Sequence, residues 1–330
     1  MVMKKILLFA VLTLFCLSTS LLAEDGDAGY AGSFLQVPIG ARPTAMGGAF
    51  ISISNDASGS FYNPAGMSII KKSIFATSYR AMQLDRKLGY TAILFPTQGN
   101  SVLGFSWLYA GSGSVDARND DGDLLGNTLE QNNHQISILF SKRFEKYLSL
   151  GFKGSYLYSK FAEMSVFSVG IDLGATLYIS RLFSREKRDL MSIQDIQVGL
   201  VVRNLAANFK WNNDNYLAAH SGSAFGGSDH IDDFPVEIGI GGSARFFNRK
   251  LLLSSDIVKN SKENIILHAG GEYFITKQFA ARVGYTDRSL TTGFGYVFNL
   301  DKFGLVFDYA YSSEKVGEGS EHIFSFDILF

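Results

Sequence analysis

Apolar and polar residues alternate with period two along most of this chain. The final stretch shows it best: Phe324, Phe326, Ile328 and Phe330 fall on one face of a strand, Ser325 and Asp327 on the other. The same alternation begins near residue 73 and predicts strands at 73–80, 88–95, 101–110, 132–141, 147–160, 166–180, 193–204, 234–246, 250–258, 265–274, 279–287, 291–299, 303–312 and 321–330. These are fourteen segments, and a single-chain bacterial membrane barrel has an even number.

The connections test that assignment independently. With both ends of such a barrel in the periplasm, odd-numbered connections lie outside the cell and can be long, whereas even-numbered ones are short turns. The two longest, 111–131 and 205–233, are odd; the tight links 142–146, 247–249, 275–278 and 299–302 are even. The exception is 181–192, a long even connection that carries Arg181, Arg185, Lys187 and Arg188.

The two faces sort by polarity. Phe167, Val169, Ile171, Leu173, Leu177 and Ile179 would point outward, opposite Gly170, Asp172, Gly174 and Thr176. Phe303, Leu305, Phe307, Tyr309 and Tyr311 oppose Gly304 and Asp308; Phe279, Val283 and Tyr285 oppose Arg282. The same register sends Lys153, Asp195, Arg203, Glu237, Arg245, Asp256, His268, Glu272 and Asp327 inside. An Arg or Lys facing lipid at mid-bilayer costs about 2–4 kcal/mol, so this register is strongly specified. The expected fold is all-β: a fourteen-stranded antiparallel transmembrane barrel over 73–330. The inward charges are expected to pair with one another or with a segment filling the lumen. A chain that ends on an aromatic within its last strand suits a barrel that closes on itself. Phe324, Phe326, Ile328 and Phe330 resemble the assembly signal of bacterial outer-membrane barrels.

The start of the chain supports that destination. Lys4 and Lys5 precede an apolar run from Ile6 to Leu17, and Leu21-Leu22-Ala23 leads into Glu24-Asp25. This is the layout of a secretory signal over 1–23, with cleavage between Ala23 and Glu24. The single cysteine, Cys16, falls within it, so the mature chain has no thiol chemistry. The expected location is the bacterial outer membrane after export. A net charge of −1 gives no polycation for nucleic acid.

Residues 24–72 differ from the rest and read as a compact, turn-rich segment, a short strand plus a turn plugging the lumen. Gly47-Gly48 permits positive φ or close backbone packing. Asn63-Pro64 sets a turn. The run Gly40-Ala41-Arg42-Pro43-Thr44-Ala45-Met46-Gly47-Gly48-Ala49-Phe50, followed by Asn55-Asp56-Ala57 and Asn63-Pro64-Ala65-Gly66-Met67, resembles the N-terminal signature of the PorV/PorQ family. That family is itself similar to FadL-type outer-membrane transporters. The resemblance implies an N-terminal hatch inside the barrel, with Asn63, Pro64 and Ala65 in it. In the FadL type it implies hydrophobic molecules bound in the lumen and released sideways into the membrane. In the PorV type it implies a partner in type IX protein secretion.

Catalytic chemistry is not legible: there is no nucleophile elbow, phosphate-binding glycine loop or metal-ligand spacing. His220 and His230 share a loop with Asp229, Asp232 and Asp233, and Asp116, Asp120, Asp121 and Asp123 share another; solvated loops account for both. Phe61, Tyr62, Trp107 and Trp211 suit packing or an interfacial belt better than ligand contact. The expectation is a non-enzymatic barrel with no cofactor. Its partners would be outer-membrane lipid and a small hydrophobic molecule, lipid or detergent in the lumen, with an apolar pocket beneath the hatch. Secretion-system proteins are the alternative partners.

Overall fold

A computed structural model of the chain describes residues 30–118, 121–162, 164–184, 193–212, 229–286, 289–313 and 319–330. The signal segment with Ala23 and Glu24 lies outside them, as do Asp120, Arg185, Lys187, Arg188 and His220. The strands are β1 (Ile74–Ala81), β2 (Lys87–Thr97), β3 (Ser101–Gly111), β4 (Val115–Arg118), β5 (Leu124–Leu129), β6 (Gln131–Phe144), β7 (Leu148–Phe161), β8 (Met164–Leu177), β9 (Gln194–Leu205), β10 (Asn208–Asn212), β11 (Asp229–Asp233), β12 (Glu237–Phe246), β13 (Leu251–Asn260), β14 (Ile265–Phe274), β15 (Phe279–Thr286), β16 (Ser289–Asn299), β17 (Gly304–Ser312) and β18 (Glu321–Leu329). Fourteen of them close an antiparallel barrel, each beside its barrel neighbours in sequence. All fourteen predicted segments are barrel strands, with ends shifted by a few residues.

Closure joins the first barrel strand to the last. β1 pairs with β18 from Ile74 opposite Leu329 to Ala81 opposite His322. Beyond that ladder, the Phe330 amide donates to the Ser73 carbonyl and the Ser73 amide to the Phe330 carbonyl, both at 3.0 Å. The chain therefore ends on the seam, and no free edge remains there. The alternation of short and long connections puts this end on the side expected to face the periplasm.

The outer surface carries the apolar faces. Phe105, Ile138, Phe167, Val169, Ile238 and Phe326 are exposed there. Toward the outer end, Trp107 stacks on His134 with planes 8° apart and donates from Nε1 to its Nδ1 at 3.2 Å. Tyr109 and Tyr158 join this group. Further round the barrel, the Tyr309 hydroxyl and His322 Nδ1 lie 2.8 Å apart, beside Tyr311. Rings with one apolar and one polar side belong at the membrane–water boundary. Trp107 is thus a belt residue that does not reach the lumen.

Four details differ from the sequence reading. The long outer connections hold two further hairpins, β4–β5 and β10–β11, because a long connection satisfies its backbone polar groups most simply by pairing with itself. Strand β8 stops at Leu177, and Ile179 opens a 3₁₀ turn, Ile179–Leu182, instead of facing outward on a strand. Asp195 sits at the periplasmic rim with its side chain 40% exposed, paired with Arg249 at 2.8 Å, so it is only partly enclosed. The fourth is residues 30–73, where no strand forms. Short helices at Ala41–Ala45 and Gly59–Tyr62 and 3₁₀ turns at Ser33–Gln36 and Pro64–Ile69 take its place. A closed cylinder offers no free strand edge within, so this backbone is satisfied locally and by side chains of the wall.

Candidate functional site

The lumen is the site, because residues 30–73 pass through it and nearly every part of them is buried against the wall. Tyr30 bonds Glu263 in the outer connection between β13 and β14. Ser68 lies 2.5 Å from Ser149 near the periplasmic end of β7. The segment thus runs from the outer mouth to the periplasmic end before β1 begins. Met46, Phe50, Asn63 and Ala65 have no exposed surface.

Glycines of the wall make this threading possible. A side-chain carbon on Gly151 would overlap Pro64–Ala65, one on Gly174 would overlap the Asn63 side chain, one on Gly199 would overlap Ile51, and one on Gly270 or Gly284 would overlap Met46–Gly47. The wall leaves room where the segment's own backbone touches it. The segment answers with Gly47 and Gly48 at φ 64° and 81°, conformations that side chains beyond Cα disfavour. The Gly47 amide donates to Thr291 Oγ1 at 3.1 Å, and the His268 ring donates from Nδ1 to the Gly47 carbonyl at 2.7 Å.

Polar side chains fix the rest. The Asp256 carboxylate accepts from the Phe50 and Ile51 amides at 2.6 and 2.8 Å. Asn63, in an extended conformation, caps the following turn by accepting from the Ala65 amide at 3.0 Å. Its amide nitrogen donates to the carbonyls of Ile51 at 2.9 Å and Ala175 at 3.2 Å. Ser325, on the inward face of the last strand, accepts from the Ala41 amide at 2.8 Å.

Most of the inward charges are paired; among the described residues Asp256 and Asp327 form no ion pair. Glu272 holds Arg42 of the segment and Arg282 of the wall, both at 2.8 Å. Arg282 continues to Asp308 at 2.6 Å, and Arg42 to Asp56 at 2.8 Å and Asn55 at 2.7 Å. The Glu272 and Asp56 carboxylates offset the cost of burying the Arg42 guanidinium. Lys153–Asp172 at 2.9 Å and Arg203–Glu237 at 2.7 Å are further pairs, and both cations lie over the Phe61 ring. Asn55 and Asp56 of the signature therefore serve Arg42, a residue whose role needs the fold to be seen.

The wall formed by β2 and β3 is mostly apolar. β2 and β3 turn Leu88, Tyr90, Ala92, Leu94, Val102 and Leu108 inward, and the segment sets Phe34, Leu35, Ile39, Phe50, Phe61 and Tyr62 in the same cluster. At the outer end the cluster is roofed by the β10–β11 hairpin, where Phe209 meets Phe234 and Trp211 edge to face. Where an apolar pocket is expected beneath the segment, the structure instead has close-packed apolar side chains. His230 lies outside, 2.9 Å from Asp232 on an exposed hairpin.

A closed barrel whose lumen is threaded by its own N-terminal segment defines the class. Among solved structures, the toluene transporter TbuX of Ralstonia pickettii is similar in fold, with TM-score 0.62 and 11% identity over 88% of this chain and 98% of that one. The toluene transporter TodX of Pseudomonas putida gives TM-score 0.58 and 11% identity over 88% and 96%. A FadL homologue of Pseudomonas aeruginosa gives 0.56 and 12% over 94% and 98%. At these identities the likeness is one of fold. No family model matches the chain, and no curated protein matches it.

Proposed function

We propose that this barrel resides in the bacterial outer membrane and passively transports small hydrophobic compounds, with residues 24–72 as its hatch. The observation that carries the reading is the division of the lumen. Charges and polar hydrogen bonds tie the segment to β6–β8 and β13–β18, whereas the inward faces of β2 and β3 are mostly apolar, with Ser106 and the Tyr90 hydroxyl as exceptions. A seal alone has no need of that face; a route for an apolar molecule does. TbuX and TodX carry the same architecture and are toluene transporters, which makes monoaromatic hydrocarbons the first substrates to try. In this reading Gly47, Gly48, Asn55, Asp56, Asn63, Pro64, Ala65 and Gly66 seat the hatch.

The test is uptake of radiolabelled toluene by cells expressing the protein. Leu108→Asp places an unpaired carboxylate in the apolar face and is expected to cut uptake about tenfold or more, since burying such a charge is costly. Uptake equal to that of empty-vector cells, from protein correctly folded in the outer membrane, would sink the proposal. The PorV/PorQ resemblance supports a second reading, a non-enzymatic partner in type IX secretion, and rests on the signature alone. The largely apolar face of β2 and β3 favours transport.

Two processing steps belong to the same proposal: signal cleavage between Ala23 and Glu24, and assembly through the face of Phe324, Phe326, Ile328 and Phe330. Deleting Phe330 removes both backbone hydrogen bonds to Ser73. The fraction of protein reaching the heat-modifiable folded form in outer membranes is expected to fall several-fold, read by unheated gel mobility.

A further inference from the structure

The outer roof of the lumen is attached to the wall at a fault in the sheet. β8 and β9 pair from Leu177 opposite Val198 to Leu173 opposite Val202; the register then shifts, and Ile171 faces Leu205. Arg203 and Asn204 are left opposite Asp172 alone. The Asp172 carboxylate fills the break by accepting from the Asn204 amide at 2.9 Å. Two residues after β9 the chain enters β10–β11 and folds over the mouth. Asn204 and Ala206 both sit at φ 61° on the way. Asparagine tolerates that left-handed conformation, whereas alanine is strained by it. Ala206 is exposed, so the strain lies in the backbone turn and not in side-chain packing.

The hairpin rests on the mouth through apolar contact. Ala207, Phe209 and Phe234 are buried on its underside. A side-chain carbon on Gly32 of the threaded segment would overlap the Phe234 ring. Lys210, Asp229, His230 and Asp233 are exposed. The two legs are tied together where they leave the wall. Asn204 donates from Nδ2 to the Pro235 carbonyl at 3.1 Å, and the Phe234 amide donates to the Ala207 carbonyl at 3.2 Å. The hairpin is therefore one body on a short, strained base. Apolar contact has no fixed direction, so an apolar guest can replace what Phe209 and Phe234 lose when the hairpin lifts.

We propose that β10–β11 is a lid, pivoting about residues 204–206 and 235–236, that lifts to admit small apolar molecules to the apolar cluster it roofs. The inference deepens the transport reading and rests on it for the identity of the guest. The left-handed Ala206 loads the closed lid: backbone strain is stored while the hairpin is down and released when it lifts. Asp172 sets the pivot. Its other oxygen holds the Lys153 ammonium at 2.9 Å, and Lys153 lies over the Phe61 ring of the threaded segment. Pivot and segment thus share one buried carboxylate.

Hydrogen exchange of the purified full chain, read by mass spectrometry, follows the hairpin directly. Ala206→Gly removes the strain and is expected to slow exchange at residues 207–212 and 229–234 about tenfold, leaving β6 and β7 unchanged. A crosslink gives a second reading. A side-chain carbon built on Gly170 would lie 3.6 Å from the Ala207 Cβ, within disulfide reach. In a Cys16→Ser background, oxidised Gly170→Cys/Ala207→Cys is expected to slow the same exchange and to cut toluene uptake several-fold, with reductant restoring both. Exchange equal to the parent's in both variants overturns the lid, whether or not cells take up toluene. Full uptake with the crosslink formed overturns its role in entry. No uptake by the parent, with exchange slowed as expected, sinks the transport reading and leaves the moving hairpin standing.

Discussion

Glu272→Ala is expected to destabilise the protein by about 3–5 kcal/mol, the usual cost of removing one partner from a buried ion pair. Glu272 is fully buried and is shared by Arg42 of the segment and Arg282 of the wall. Its loss takes one of two carboxylate partners from each guanidinium in a place with little water. Arg282 keeps Asp308 and Arg42 keeps Asp56, so the damage falls on the junction between segment and wall. Urea unfolding in lipid vesicles gives the stability. Limited proteolysis gives the location: new cleavage should appear within residues 30–73 before any in the barrel strands. Glu272→Gln retains an acceptor and is expected to fall between the two. A variant as stable and as protease-resistant as the parent would show that the junction does not hold the segment.

Gly284→Val should act on the same junction by shape. A side-chain carbon there would overlap the backbone at Met46 and Gly47. Over-packing costs about 1–3 kcal/mol where a side chain can turn away; backbone cannot turn away, so the segment must shift or leave. The parent barrel, threaded and packed, is expected to conduct ions poorly in a planar bilayer. The variant is expected to show frequent or sustained openings. Gly242→Val is the control, since a carbon added at Gly242 meets nothing within 4 Å. A silent Gly284→Val barrel, folded and inserted, would mean that the segment accommodates the bulk in place.

The barrel was legible because hydrocarbon outside and paired charge inside force a strict two-residue alternation, and every strand must obey it. Asp172, Glu237 and Asp308 could be placed inside from spacing alone. The course of the N-terminal segment could not, since its conformation is decided by partners far along the chain. Arg42 meets Glu272 across 230 positions, and Phe50 meets Asp256 across 206. The signature marked Asn55, Asp56 and Asn63 as important but gave no sign of what they hold. Arg42 stood in that signature and Glu272 on the inward face; only the fold joins them. The β4–β5 and β10–β11 hairpins were missed for another reason. Glycines at 122 and 126 and clustered aspartates obscure the alternation of the first, and the second splits into two five-residue strands far apart in sequence.

The passage of residues 30–73 through the lumen has a topographic consequence. An even number of strands returns a barrel's two extremities to one compartment. The threaded segment adds one more traverse, so Tyr30 and Phe330 lie at opposite ends of the barrel. The molecule thereby reaches its far mouth without spending any of its sheet to do so.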